Sequence, residues 1–204
     1  MTTPLNADRA PRVTTRSRTT AETSVELRLA LDGSGEADVD TGLRFLDHML
    51  DALARHARLD LSLRCRGDVE VDDHHTVEDC ALVLGGALDE LLGERRGIAR
   101  FGSAYAPLDE ALARVVVDLS GRPWPEVRLG LRRERLGQVA CENLTHFLQT
   151  LAIAGRMALH VDVLRGENDH HRVEAAFKAL ALALRAAVAP DGADSVPSTK
   201  GVLS

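Results

Sequence analysis

The stretch Asp73-His74-His75-Thr76-Val77-Glu78 returns further along the chain as Asp169-His170-His171-Arg172-Val173-Glu174. The offset is 96 residues for all three side chains able to bind metal: His74 to His170, His75 to His171, and Glu78 to Glu174. A ligand set has been duplicated inside one chain. At a helix start, His74 and Glu78 share a face at i,i+4, as do His170 and Glu174. His75 and His171 project about 100° away around the helix, so the adjacent histidines are expected to serve different ions, each ion mixing ligands from both halves and across chains. One His-His pair also fits a cap or a solvated surface. Two pairs in register do not, because solvated histidines have no reason to recur as a set.

The flanking sequence repeats in kind. Val25, Leu27, Leu29 and Leu31 alternate as a half-buried strand turned at Asp32-Gly33, and Phe45 to Ala54 follows helical spacing. Leu59 to Cys65 alternates again, with Val69 and Val71 expected to continue that sheet. The first box then opens a helix closed by Gly93. In the second half Ala113 to Leu119 and Val127 to Leu131 read as strands, Leu144 to Ala152 as helix, and Val161 and Val163 as strand. The second box opens a helix stopped by Pro190-Asp191-Gly192. This is an α+β fold, internally duplicated into two pseudo-symmetric halves, each a small sheet with two helices. The expected divisions are a loose tail at 1–17, half-repeats at 18–98 and 99–192, and a terminal segment at 193–204 able to close over a ligand.

The repeat reaches beyond the boxes. His48, in Phe45-Leu46-Asp47-His48-Met49-Leu50, matches His146, in Leu144-Thr145-His146-Phe147, and the shorter loop before the second box explains the two-residue slip in their offset. The candidate metal set is His48, His74, His75, Glu78, His146, His170, His171 and Glu174, enough for two sites of roughly four ligands. Imidazole plus carboxylate without thiolate suits Mn, Fe, Co, Ni or Zn. Asp73, Asp79 and Asp169 are placed to hold imidazole N–H groups from behind.

Composition narrows the class. The chain has 204 residues, 45% hydrophobic but only 3% aromatic, and a net charge of −6, which argues against a nucleic-acid binder and leaves small anionic substrates open. The three cysteines lack C-x-x-C spacing, so neither a disulfide scaffold nor a thiolate zinc site is indicated. No apolar run approaches a membrane span, and no membrane partner is expected. The reading is a reduced, cytoplasmic protein. Lysine occurs only at Lys178 and Lys200 among many arginines, which singles both out.

These segments, with Asp118-Leu119-Ser120-Gly121-Arg122-Pro123 and the terminal Pro197-Ser198-Thr199-Lys200-Gly201, resemble the signature segments of the imidazoleglycerol-phosphate dehydratases. The resemblance runs from about Arg18 to Leu203. It implies a ribosomal protein S5 domain 2-like duplicated fold and a hydro-lyase of L-histidine biosynthesis. The reaction implied is dehydration of D-erythro-imidazole-glycerol phosphate to imidazole-acetol phosphate. Two Mn(2+) per active site are implied, other divalent ions being possible, with no organic cofactor. So is a hollow homo-oligomer of octahedral symmetry, roughly a 24-mer, with active sites at subunit interfaces.

The chemistry explains such a site. No carbonyl acidifies the proton that must leave, so the ring must supply electrons, through a metal-bound imidazolate and a diazafulvene-like intermediate. By the resemblance Glu22 shuttles protons, and His75 and Glu174 join it as catalytic residues. Glu22, His56, Arg100, Arg122, Lys178, Ser198 and Lys200 contact the substrate, with the arginines, Ser198 and Lys200 on phosphate. From the residues alone, Glu22 and the two arginines resemble ordinary surface positions, and His56 is open. Arg44, Glu167 and Asp169 depart from the family pattern but leave every proposed ligand present. Two other classes compete. A metal-storage assembly would need neither Glu22, Arg122 nor Lys200, and a dinuclear hydrolase would lean on bridging carboxylates, which are sparse here.

Overall fold

The computed structural model describes residues 10–193, 195–201 and 203. The first half runs β1 (Val13–Thr19), β2 (Thr23–Ala30), β3 (Ala37–Asp40), α1 (Arg44–Ala57), β4 (Asp60–Gly67) and α2 (His74–Leu92). The second runs β5 (Phe101–Leu108), β6 (Ala111–Asp118), β7 (Trp124–Arg128), a short hairpin of β8 (Arg135–Leu136) and β9 (Val139–Ala140), α3 (Cys141–Ala154), β10 (Ala158–Arg165) and α4 (Asp169–Ala187). The two main sheets have matching strand orders, β1-β2-β4-β3 and β5-β6-β10-β7. In each, the last-listed strand pairs parallel to its neighbour and the other pairs are antiparallel. The α+β duplication expected from the boxes is the architecture of the molecule.

Strand alternation sends Val25, Leu27 and Leu29 inward from β2, and Ala113, Val115 and Val117 from β6. Their outward neighbours are polar or partly exposed. α1 packs against α4 and α2 against α3, so the helices of one half meet those of the other, and each half's own sheet lies behind them. Phe147 of α3 and Phe177 of α4 are fully buried with ring centroids 5.7 Å apart. Burying each such ring contributes roughly 1.5–3 kcal/mol. The two histidine boxes sit at the first turns of α2 and α4, one in each of these cross-half helix pairs.

Two expectations change. The tail boundary at residue 17 falls inside β1, which pairs with β2 from Val13↔Ala30 to Thr19↔Ser24. β1 is almost wholly exposed, so its sequence lacks the apolar alternation that marks a strand. Residues 1–9 of that tail, and 194, 202 and 204 of the terminal segment, lie outside the described residues. Val69 and Val71 do not continue the sheet: they stand in a turn, 44% and 72% exposed, where Val71 N–H closes onto the Asp68 carbonyl. β3 and β5 also escape sequence reading, β3 because it is short and polar and β5 because its inward positions are mostly small.

Candidate metal centre

The cross-half helix pairs assemble two triads. His48 on α1 meets His170 and Glu174 on α4, and His146 on α3 meets His74 and Glu78 on α2, the donor atoms of each triad lying within 4.8 Å of one another. His48 and His170 reach Glu174 Oε2 at 3.2 and 3.1 Å, and His146 Nε2 reaches Glu78 Oε1 at 3.0 Å. The rings of His74 and His146 stack at 4.8 Å. Each triad offers two imidazoles and one carboxylate drawn from both halves of a single chain. Such a donor set fits a divalent ion of borderline hardness.

The triads are not identical. Glu174 is mostly buried and ion-paired through Oε1 to Lys178 Nζ at 2.7 Å. Burial pushes its carboxyl up, but the hydrogen bond and charge of Lys178, with hydrogen bonds from His48 and His170, bring it down to about 2. Glu78 is more exposed, and the residue at the position equivalent to Lys178 is Leu82. His56 lies near this corner. Desolvation, followed by the charges of Lys178 and Arg55, lowers its pKa.

The second histidine of each box stands apart from its own chain's triads. His75 Nδ1 meets Asp68 at 3.2 Å while its Nε2 faces Glu22 at 3.6 Å. His171 Nδ1 meets Glu110 at 2.7 Å while its Nε2 faces Asp109 at 3.9 Å. The hydrogen bonds that the rings donate to Asp68 and Glu110 are the main causes raising the pKa of His75 and His171. Adjacent histidines thus part company, as the 100° helical step requires.

The carboxylates expected behind the imidazoles do other work. Asp73 accepts from the Ala140 N–H at 2.8 Å, and Asp169 from the N–H groups of Arg132 and Arg133 at 2.8 and 2.7 Å. Both are buried and tie down a loop. Asp79 bonds Arg18 and Thr23. The imidazole partners are instead Asn143, which meets His74 Nδ1 at 3.1 Å, together with Asp68 and Glu110. None recurs at the 96-residue offset of the boxes, so that repeat could not find them. Asp72 and Asn168 do form an equivalent pair, accepting from the His74 and His170 N–H groups at the two helix starts.

The expected phosphate residues gather elsewhere. Arg100, Arg122, Ser198 and Lys200 line one cavity of about 550 Å³ with Pro197, Thr199 and Leu203. Arg100 is held by Asp118 at 2.7 and 3.0 Å, and donates to the Pro197 carbonyl at 2.7 Å, anchoring the terminal segment. Three cationic side chains around one cavity suit an anion. The cavity shares no residue with either triad.

Residues 41–184 match the family model described as imidazoleglycerol-phosphate dehydratase. The chain belongs to the imidazoleglycerol-phosphate dehydratase family. It is 54% identical to the family's protein in Candida glabrata, over 92% of this chain and 98% of that one. It is 59% identical to that of Saccharomyces cerevisiae over 81% and 76%. A Phytophthora nicotianae relative is also 59% identical, over 92% of this chain, but the chain spans only 42% of that protein. Among solved dehydratases of this family, the Staphylococcus aureus structure superposes with a TM-score of 0.79 at 35% identity, covering 87% of this chain and 99% of that one. The Pyrococcus furiosus structure gives 0.79 at 37%, covering 92% and 100%. Dehydratases are hydro-lyases, and this chain is an enzyme of that class.

Proposed function

We propose that the chain dehydrates D-erythro-imidazole-glycerol phosphate to imidazole-acetol phosphate, a step of L-histidine biosynthesis, in the cytoplasm and with two bound divalent cations. Family membership supports the reaction, and the pair of nitrogen-rich triads is the observation that carries the metal reading. The resemblance favours manganese, and the donor chemistry accepts it. His48, His170 and Glu174 would hold one ion, and His74, Glu78 and His146 the other. His75 and His171, which belong to neither triad and whose Nε2 atoms face Glu22 and Asp109, would complete the sites of neighbouring copies in a homo-oligomer, roughly a 24-mer. Bound ions would supply Lewis acidity that lowers the proton affinity of the substrate's ring nitrogens.

The chain's own groups do the rest. Glu22, 53% exposed in its side chain and beside His75, carries the proton removed from the substrate's side-chain carbon. The adjacent hydroxyl departs as water once protonated, and the resulting enol becomes the ketone. Arg100, Arg122, Ser198 and Lys200 bind the phosphate, and the bond from Arg100 to the Pro197 carbonyl holds the terminal segment at that cavity. Lys178 holds Glu174 ionised for its ligand role, with His56 on the substrate side of that corner.

Metal-stripped protein given imidazole-glycerol phosphate should yield ketone only after manganese is restored. No product under any of several divalent ions would overturn the reading. Lys200→Ala should raise KM by about 10–100-fold, the effect of losing one charge-assisted contact, with metal retained. Equal loss of metal in Lys200→Ala and His75→Ala would contradict the assigned roles.

A further inference from the structure

The two halves solve one local problem in different ways. Counting back three residues from the inward-facing Val25 of β2 and Ala113 of β6 gives Glu22 and Glu110, which makes these two carboxylates counterparts in the duplication. Glu110 grips its imidazole, with Oε2 2.7 Å from His171 Nδ1 and Oε1 accepting from the Glu167 and Asn168 N–H groups at 3.1 and 2.9 Å. Glu22 has no such grip on His75. It sits 3.6 Å from the opposite ring nitrogen, Nε2.

The difference traces to the loop before each box. Residues 68–72 separate β4 from the first box, whereas only residues 166–168 separate β10 from the second. The longer loop turns back on itself through the Asp68 carbonyl, which accepts from Val71 N–H at 2.8 Å, and its Asp68 N–H donates to the Glu22 carbonyl at 3.2 Å. This brings the Asp68 carboxylate, largely buried, onto His75 Nδ1 at 3.2 and 3.3 Å.

We propose that Asp68, delivered by the two additional loop residues, is the positioning residue of His75 and takes over the task that Glu110 performs for His171, leaving the Glu22 carboxylate available to the substrate. An imidazole whose Nδ1–H is fixed by a carboxylate presents Nε2 as the lone-pair donor, and a ligand so held is more basic and better aimed. A carboxylate held by two backbone N–H groups and an imidazole, as Glu110 is, cannot swing to a substrate. Had the first half kept the short loop, Glu22 would be tied in the same way. The inference rests on the metal and proton-transfer roles proposed above.

The test uses the full-length protein as wild type, Asp68→Ala and Asp68→Asn, with manganese as the probe. Three readouts are needed: manganese affinity by equilibrium dialysis, the tautomer of His75 by ¹⁵N NMR on the metal-free protein, and kcat at saturating manganese. Asp68→Ala should lose about 10–100-fold in manganese affinity, the range for removing the partner behind a ligand imidazole. It should also shift His75 away from the Nδ1–H tautomer and lower kcat. Asp68→Asn, which keeps an acceptor oxygen, should restore the tautomer and part of the affinity, and it remains informative if the alanine variant does not fold. Unchanged affinity and tautomer in both variants, with an active wild type, overturns the role of Asp68 alone. A wild type that binds no manganese overturns the metal reading and this inference together.

Discussion

His75 and His171 occupy equivalent places at the starts of α2 and α4, yet different groups hold their rings. His171 is pinned by Glu110, whose carboxyl is held down at about 2, first by the Asn168 N–H and then by the His171 ring. His75 is pinned by Asp68, and the counterpart of Glu110, Glu22, stands half in solvent on the other edge of the ring. The duplication places a carboxylate beside each of these imidazoles, and in one copy a longer loop brings a second carboxylate, Asp68, onto the ring, which on the proposed roles frees Glu22 to handle protons. On that proposal, symmetric metal ligation and asymmetric chemistry share one scaffold, because the candidate ligands lie on the helices and the difference lies in loops.

The largest effect that would sharpen this contrast is on turnover. Glu22→Gln should lower kcat by about 10²–10⁴-fold, the usual contribution of a positioned acid or base, with manganese content unchanged. Glu110→Gln should behave in the opposite sense, losing about 10–100-fold in manganese affinity while kcat at saturating metal falls far less. If both variants fail in the same parameter, the two corners are not functionally distinct. Steady-state kinetics with parallel metal analysis separate these results.

The smallest effect is on stability against pH. Glu110 has a lowered pKa, so its contribution is present above the ordinary value of 4.5 and fades as pH falls toward 2. His171 has a raised pKa, so its contribution is full below the ordinary value of 6.5 and is lost as pH rises through the folded value. In metal-free protein, the melting temperature of wild type minus that of Glu110→Gln should be greatest between pH 4.5 and 6.5 and shrink on either side. A difference that grows steadily toward alkaline pH would break the pairing of these two groups.

Much of this was legible in the sequence because the strongest signals are periodic. The 96-residue repeat and the His48–His146 match pointed to duplicated ligands, and helical spacing parted His74 from His75. Strands such as β2 and β6 announced themselves by alternation. β1 did not, since exposure on both faces leaves no apolar pattern, and Val69 and Val71 imitated a strand in a turn. Asp68, Glu110 and Asn143 escaped because each reaches its histidine from another element, at a separation that only the fold defines. Asp73 and Asp169 misled for the converse reason. Neighbours of the histidines in sequence, they point away from the rings and fasten the N–H groups of Ala140, Arg132 and Arg133.

The central claim is that each chain carries two cation sites built from paired triads and that dehydration depends on them. Counting manganese per chain by equilibrium dialysis, for wild type, His48→Ala and His146→Ala, tests it directly. Two ions are expected in the wild type and one in each variant, with a ~100-fold or greater loss of ketone formation in both variants. Two ions still bound in either variant, or full turnover with a triad emptied, would contradict it.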